Sequence, residues 1–501
     1  MSTETTTSKT GLARHIGLLG LTATGICSMM GAAINFIPFT IQRNDPGIGA
    51  DVLPAYMVAM IPAFLAAIAY AILASAMPRA GGSYVYASRS INPYFGFVAS
   101  FSQWFGLSIA IGVVSYVIVP FMRDAALAVE ATDLAAWLES GPIRLSISLG
   151  FLWLFVGINI RGIQLYEKTL IPLMFLMFGL GAIVIFTGFS FNHADFATAL
   201  MEKEGRGVPG FDDPEHGIFS LTYFFAATAV LFSSFIGFDS IAQAGGEAKN
   251  PNRNLPIAIG LTIAIVGTFY MLFTAAVYHA IPWQFVAAEA MEKDISAPGL
   301  LGYLLSPTLT MLILAGAVIA LINDLPAMLL ATSRLMFAWS EDGIFPSAAA
   351  KVHPTLHTPH VAILLSAIMS SIGILGCHFA GDFFLGVDLL LISMLVNFLV
   401  MCISVLMLPS RNPAIAERIS FVKSRPMQAT LAGLGALMLI GLIAVQINKD
   451  LNANVDAWYF HSTWTWLVVM AGASAIYFYK MNGLRKSGVD VEERFNQLPP
   501  E

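Results

Sequence analysis

Long apolar segments recur along this 501-residue chain and restrict the folds open to it. A membrane-spanning helix needs about 20 mostly apolar residues, and twelve such segments alternate with connections that carry most of the proline and charge. Only 11% of the residues are charged, whereas a soluble domain has about 25%. The sequence therefore predicts an all-α integral membrane protein with about 12 transmembrane helices. The predicted segments are 16–42, 53–77, 95–122, 143–160, 169–189, 218–244, 257–281, 307–338, 361–378, 382–408, 427–447 and 461–481.

The distribution of positive charge predicts the orientation of these helices. If the N-terminus is cytoplasmic, 18 of the 25 lysine and arginine residues fall on the cytoplasmic side, as the positive-inside rule requires. We therefore expect cytoplasmic tails at 1–15 and 482–501, with a multi-pass domain over 16–481 in the cell membrane. The net charge of −6 gives no indication of a nucleic-acid partner.

Two connections on the opposite side are long enough to carry structure of their own. The connection over 123–142 mixes apolar residues such as Leu134 and Trp137 with acids, which predicts a short amphipathic helix. The connection over 190–217 is rich in glycine and aspartate and is predicted to be irregular.

The first apolar segment contains an interruption at mid-membrane. Gly25 and Gly31 flank small residues there, and each glycine costs a helix roughly 1 kcal/mol relative to alanine. Irregular backbone at this depth is tolerated only where protein or a water-filled cavity satisfies its polar groups, and interrupted helices mark the binding sites of transporters. The alternative is that these small residues only permit close helix packing.

The sixth segment has a matching interruption, where Ser233, Gly237 and Asp239 follow one another closely. Interruptions in helices 1 and 6 are the relation expected of two inverted five-helix repeats, helices 1–5 and 6–10, followed by helices 11 and 12. The N-terminus of a half-helix suits a carboxylate, and its C-terminus suits an ammonium or a sodium ion. Two crossing interruptions therefore predict a site for a zwitterionic amino acid.

Several motifs, in a fixed order along the chain, identify a family that this sequence resembles. The sequence resembles the amino acid–polyamine–organocation (APC) superfamily of permeases, which implies the leucine-transporter fold. The motifs are Gly25–Ile34, Met77–Tyr86, Phe235–Asp239 followed by Gly246–Pro256, and Ser333–Ala338 followed by Glu341–Pro346.

The resemblance also implies which residues bind the substrate. The substrate carboxylate is expected on the backbone amides of Ala32 and Ala33, and the amine on carbonyls near Met29, Ser233 and Ile236. The sequence departs from the family pattern in two places, because Ala33 replaces a usual glycine and Ser233 replaces the gating tryptophan of some antiporters. These departures leave the size of the substrate open. The complete set of expected binding residues is Ser28, Met29, Gly31, Ala32, Ala33, Ser233, Ile236 and Gly237.

Three polar residues inside apolar segments are candidates for binding a cation or a coupling ion. A carboxylate within the membrane is costly and usually functional. Asp239 is either a proton-coupling or amine-binding group or a carboxylate that caps broken backbone. Asp324, beside Asn323, is either an ion or cation ligand or a polar contact between helices.

Charged residues in the predicted cytoplasmic loops are candidates for a gate. Glu247 is interpreted as a gate or loop ion pair rather than a substrate contact, and Arg79 and Arg334 are assigned to the same surface. His353, His357 and His360 have a spacing that could bind a metal on a helix, but Pro354 and Pro359 in the same loop disfavour a regular helix. No metal is expected.

The resulting prediction is a secondary transporter of amino acids, a symporter or an exchanger, that works by alternating access. The sequence has no phosphate-binding loop, so transport is expected to be driven by an ion or substrate gradient. No cofactor is expected beyond a possible Na⁺ or H⁺ as coupling ion. The first alternative is a carrier of polyamines or other organic cations, with Asp239 and Asp324 facing two amines. An intramembrane enzyme would need a clustered nucleophile, base or metal set, and no catalytic residues are assigned. A channel, expected to show a selectivity filter or charged pore lining, is the third alternative.

Overall fold

The computed structural model describes residues 12, 14–44, 48–209, 220–293, 295–380, 384–455 and 457–499, and within them the chain is helical. The α-helices are α1 Leu18–Met29, α2 Ala32–Asn44, α3 Val52–Ala76, α4 Gly82–Ser90, α5 Pro93–Ala128, α6 Thr132–Glu139, α7 Gly141–Ile160, α8 Ile163–Ser190, α9 His193–Glu204, α10 Leu221–Phe232, α11 Ser240–Gln243, α12 Pro251–Ala280, α13 Trp283–Glu292, α14 Ala297–Leu301, α15 Pro307–Glu341, α16 His360–Ala380, α17 Phe384–Arg411, α18 Pro413–Ala416, α19 Arg425–Leu451, α20 Ser462–Lys486 and α21 Val491–Asn496.

The predicted membrane-spanning segments are present as helices. In the described part of the chain, 11 helical segments are long and apolar enough to cross a membrane. The last predicted segment forms the 25-residue helix α20, which carries Lys480, Arg485 and Lys486 toward its end. The prediction of an all-α membrane protein with about 12 long helices is therefore confirmed.

The helices divide into a buried centre and a lipid-facing periphery. The segment formed by α1 and α2 is 88% buried in its most apolar stretch, and that of α5 is 78% buried, whereas α7, α8 and α19 reach only 28%. Phe186 and Phe379 are more than three-quarters exposed, as expected of side chains that contact lipid. α5 and α15 pack along each other, so the interrupted helices lie against a continuous helical core.

Local sequence signals explain where several helices begin. α5 starts with Pro93 in its first turn, and the Asn92 side chain accepts a hydrogen bond from the Phe95 amide. The predicted short helix within 123–142 is confirmed as α6, although Trp137 remains about half exposed. The prediction of an irregular 190–217 connection is wrong for its first half. α9 forms there because Asn192 and Asp195 make a reciprocal capping box.

Ile16 and Pro499, near the two ends of the described part of the chain, lie on one face of the molecule, which we call the termini face. The Ile16 amide donates to the Glu247 carbonyl at 2.9 Å, and the Lys249 amide donates to the Ile16 carbonyl. At the other end of the chain, the Arg79 side chain donates to the Pro499 carbonyl at 3.1 Å. The opposite face, where α5 ends and α7 begins, is called the distal face.

Candidate functional site

The interruption in the first segment lies between α1 and α2. α1 ends at Met29, and the Met30 amide still donates to the Ile26 carbonyl at 2.8 Å. Met30 then adopts φ −90° and ψ 55°, which breaks the helical path. The hydroxyl of Tyr270 donates to the Met29 carbonyl, so a side chain of α12 satisfies one of the carbonyls released by the break. The predicted interruption is present.

The interruption in the sixth segment lies between α10 and α11. A single 3₁₀ turn over Ser233–Phe235 follows α10, and Ile236 is extended at ψ 135°. Gly237 then adopts φ +134°, a conformation that essentially only glycine adopts. A Cβ atom on Gly237 would clash with the Ser28 carbonyl. Glycine is therefore required here both for its backbone angle and for the close approach of the two interruptions.

The two interruptions also contact each other through side chains. The hydroxyls of Ser28 and Ser240 are 2.8 Å apart and share a hydrogen bond. The interrupted backbones thus form one buried unit instead of two separate irregularities.

Asp239 is fully buried and lies in a hydrogen-bond network behind the interruption of the sixth segment. Its carboxylate accepts from the Gly237 amide at 3.1 Å and from the side chain of Gln103 on α5. Gln103 in turn accepts from Gln243 at 3.2 Å and from Ser83. This geometry is that of a carboxylate capping broken backbone, and a role for Asp239 in coupling stays a prediction.

A cavity of about 80 Å³ lies between the interruptions and three neighbouring helices, and we call it the central cavity. It combines residues of both interruptions with one carboxylate and an apolar wall. Its described lining is Ser28, Met29, Gly31, Ile37, Ala110, Val113, Val114, Ser233, Ile236, Asp324, Met328, Gly386, Val387 and Leu390.

Most of the binding residues predicted from the sequence meet in or beside this cavity. Gly237 is packed against Ser28 rather than in the described lining. The backbones of Ala32 and Ala33 form the first turn of α2, whereas their side chains lie outside the described part of the structure. Sequence reasoning did not find Gly386, Val387 and Leu390 of α17, because periodicity alone does not give the rotation of an apolar helix about its axis.

Asp324 is the charged residue in the described lining of the central cavity. It is 3% exposed, and its Oδ1 atom has no hydrogen-bond partner among the described residues. A Cβ atom on Gly31 would clash with its Oδ2 atom, so the carboxylate lies directly against the interruption. Asn323 points elsewhere and donates to the Cys27 sulfur at 2.8 Å. A buried carboxylate with an unused acceptor atom is suited to hold a cation or a proton.

Buried ion pairs close the termini face. Arg334 donates to both carboxylate oxygens of Glu247, at 2.9 and 2.6 Å, and each side chain is 1% exposed. Arg89 makes a similar two-point contact with Asp342, at 2.6 and 3.1 Å. The predicted surface thus contains a Glu247–Arg334 pair, while Arg79 contacts the C-terminal tail. The Arg89–Asp342 pair was not predicted, because its members are 253 residues apart.

In the parts of the chain that the structure describes, no group of three His, Cys, Asp or Glu side chains could hold a metal ion. The described lining of the central cavity combines residues of two helix interruptions, one carboxylate and apolar side chains. A helical membrane protein with this arrangement belongs to the class of secondary transporters.

Comparison with known proteins identifies the family within this class. Residues 16–473 match the family described as "Amino acid permease", so the chain belongs to that family. Its members and the curated relatives are transporters and not enzymes, and the predicted resemblance to APC permeases is confirmed.

The curated relatives differ in what their names say they carry. The chain is 25% identical to the methylthioribose transporter of Bacillus subtilis (strain 168) over 431 residues, which cover 83% of this chain and 86% of the relative. It is 25% identical to the branched-chain amino acid permease BcaP of the same organism, covering 73% and 76%. It is 24% identical to human cationic amino acid transporter 4, covering 74% of this chain but only 56% of the human protein.

Proposed function

We propose that this chain moves an amino acid across the membrane by alternating access and binds it in the central cavity. The observation that carries the proposal is the contact of the two interruptions around that cavity. The α2 amides supply donors for a carboxylate. The carbonyls of Met29, Ser233 and Ile236 are the proposed acceptors for an ammonium group, and the Met29 carbonyl would use the lone pair that Tyr270 does not occupy. The names of the branched-chain and cationic amino acid relatives support an amino acid substrate.

Asp324 is proposed as the cation-binding group of this site. Its unpartnered Oδ1 atom and its place against Gly31 suit the substrate ammonium, a proton or a sodium ion. Asp239 is absent from the described lining and already accepts two hydrogen bonds. The described lining of the cavity therefore offers one carboxylate, which favours a substrate with one ammonium group over a polyamine.

A thermal-stability screen of the purified protein tests this proposal. A ligand that binds only the folded state at 100 times its Kd adds about 2.7 kcal/mol of stability. We expect stabilisation by a few proteinogenic amino acids and loss of that response in Gly31→Ala, whose Cβ would displace Asp324. Gly150→Ala is the matched control, because nothing lies within 4 Å of its new Cβ atom. Stabilisation by polyamines alone, or no stabilisation by any amino acid, would overturn the proposal.

Asp324→Asn then separates the possible roles of the carboxylate. If it binds the substrate ammonium, affinity falls for every amino acid regardless of sodium and pH. If it binds the coupling ion, the substrate still binds, but the dependence of uptake on sodium or pH disappears. An unchanged affinity together with an unchanged ion dependence would exclude Asp324 from the site.

We also propose that both termini are cytoplasmic and that the protein lies in the cell membrane. The support is the positive-inside count together with the shared termini face. Cys27, Cys377 and Cys402 are all buried, so a cysteine introduced at the exposed Ser487 can be labelled selectively. An impermeant maleimide should react with Ser487→Cys in intact cells only after permeabilisation, and reaction before it would reverse the orientation.

A further inference from the structure

A large cavity on the termini face lies between the C-terminal tail and the ends of three long helices, and we call it the tail cavity. Its volume is about 1060 Å³, at the upper end of the range for sites that hold organic molecules. The cavity joins the edge of the helical bundle to the tail, because its lining comes from both. The lining includes Pro93 at the start of α5, Arg411 at the end of α17, Arg485 near the end of α20 and Phe495 of α21.

The charges of the tail cavity leave positive charge in excess. Arg411 and Arg485 are exposed and have no hydrogen-bond or ion-pair partner among the described residues. A third arginine of the lining, Arg89, is buried and neutralised by its two-point contact with Asp342. The carboxylate of Asp490 also lines the cavity, and it accepts a hydrogen bond from the first turn of α21 at 3.0 Å. Two guanidinium groups therefore remain available, and their planar forks of donors match a phosphate group.

An aromatic cluster places the tail cavity at the level of the membrane interface. The Tyr94 ring stacks on the Phe478 ring with the ring centres 5.2 Å apart, and the Tyr94 hydroxyl shares a hydrogen bond with the Ser474 hydroxyl at 3.0 Å. Both rings line the cavity, and Phe478 is also exposed at the surface of α20. Aromatic side chains of this kind concentrate at the headgroup level of a bilayer. Arg485 follows Phe478 by about two helical turns, so the cavity has an aromatic side toward lipid and a cationic side toward water.

We propose that the tail cavity binds the headgroup of an anionic phospholipid, with the lipid phosphate on Arg411 and Arg485 and the acyl chains along Tyr94 and Phe478. A soluble anion would use the arginines but not the aromatic side of the cavity. If the termini face is cytoplasmic, as proposed above, it meets the leaflet in which anionic lipids attract basic residues.

The same arrangement gives the bound lipid a consequence for the termini face. α21 supplies part of the lining, and its Phe495 ring lies 4.9 Å from the guanidinium carbon of Arg89. A lipid that bridges α17, α20 and α21 therefore holds the tail against the Arg89–Asp342 pair. Anionic lipid stabilises the closed termini face in this way.

Titration of the full chain in detergent with dioctanoyl phosphatidylglycerol tests this inference, with dioctanoyl phosphatidylcholine as the neutral lipid. We expect the wild-type unfolding midpoint to rise with the concentration of the anionic lipid. The double variant Arg411→Gln with Arg485→Gln should require a much higher concentration, because each lost charge-assisted hydrogen-bonding partner weakens binding roughly ten- to a hundredfold. Arg161→Gln with Arg418→Gln is the matched control. It removes the same charge from exposed residues outside the described lining and should respond like the wild type.

A charge-conserving variant and hydrogen exchange distinguish headgroup binding from general attraction. Arg411→Lys with Arg485→Lys keeps both charges but loses the planar forks, so its affinity should lie between those of the wild type and the glutamine variant. Exchange of the α21 amides should slow on addition of phosphatidylglycerol in the wild type and stay unchanged in the glutamine variant.

Three outcomes would overturn the lipid site. The first is an equal response to phosphatidylglycerol in the wild type and in Arg411→Gln with Arg485→Gln. The second is an equal loss of response in the matched control, which would mean that any exposed arginine serves. The third is an equal rise of the unfolding midpoint with inorganic phosphate alone, which would assign the cavity to a soluble anion.

Discussion

The ion pairs on the two faces of the molecule differ in how far their side chains are exposed to solvent. On the termini face, Glu247 and Arg334 form an ion pair in which each side chain is 1% exposed. On the distal face, Arg123 and Glu139 are paired at 3.2 Å, and their side chains are 33% and 68% exposed. The first pair is removed from solvent and the second remains in contact with it.

This difference indicates which face is closed. Burying two opposite charges is favourable only when close hydrogen bonds between them offset the loss of hydration. The two-point contact of Arg334 with Glu247 meets that condition. The contact of Arg89 with Asp342 meets it as well. Alternating access through the termini face would require these contacts to separate. The distal face instead carries a cavity of about 260 Å³ whose lining includes Tyr116, Arg123 and Arg144. The ion pairs of the termini face are therefore the structural element that holds the described state.

The largest loss of stability is expected when one charge of the buried Glu247–Arg334 pair is removed. Glu247→Gln leaves the Arg334 charge buried without its partner, which typically costs about 3–5 kcal/mol. The midpoint of thermal unfolding in detergent should fall clearly. The double variant Glu247→Met with Arg334→Met should lose less stability than Glu247→Gln, because no uncompensated charge remains. A double variant less stable than the single one would show that the pair itself, and not charge burial, dominates.

A smaller loss of stability is expected where the C-terminal tail packs on the Arg89–Asp342 pair. The Phe495 ring lies 4.9 Å from the guanidinium carbon of Arg89, and Arg89 also donates to the Gln497 carbonyl at 3.1 Å. Phe495→Leu retains apolar bulk but removes the cation–π contact, which is worth about 0.5–2 kcal/mol. Hydrogen exchange of the α21 amides should accelerate about 2- to 30-fold.

The control for this prediction is Phe186→Leu, a change at a 78% exposed position on α8. It should leave the exchange of α21 unchanged. Equal acceleration in both variants would mean that the tail is not held by Phe495, and the termini face would then depend on its ion pairs alone.

Features of the structure that depend on neighbouring residues could be predicted from the sequence, and contacts between distant helices could not. The interruptions at Gly31 and Gly237 were predictable because they arise from local chemistry: glycine weakens a helix, and Gly237 adopts a backbone angle that other residues avoid. The α9 capping box was equally local, and the signal at Asn192 and Asp195 was present but not used. The Arg89–Asp342 pair depends instead on how distant helices rotate and meet, which hydrophobic periodicity does not specify.

The smallest effect is expected on the distal face. Glu139→Gln removes one member of an exposed pair, and such pairs contribute about 0–1 kcal/mol. Screening by salt further weakens exposed pairs and has much less effect on buried ones. The unfolding midpoint of Glu139→Gln should therefore differ little from wild type and converge with it at high salt, whereas the deficit of Glu247→Gln should persist. The contradicting outcome is an equal decrease in the unfolding midpoint of both variants, or a decrease that disappears with salt in both. The termini face would then not be more tightly closed than the distal face, and its ion pairs would not hold the described state.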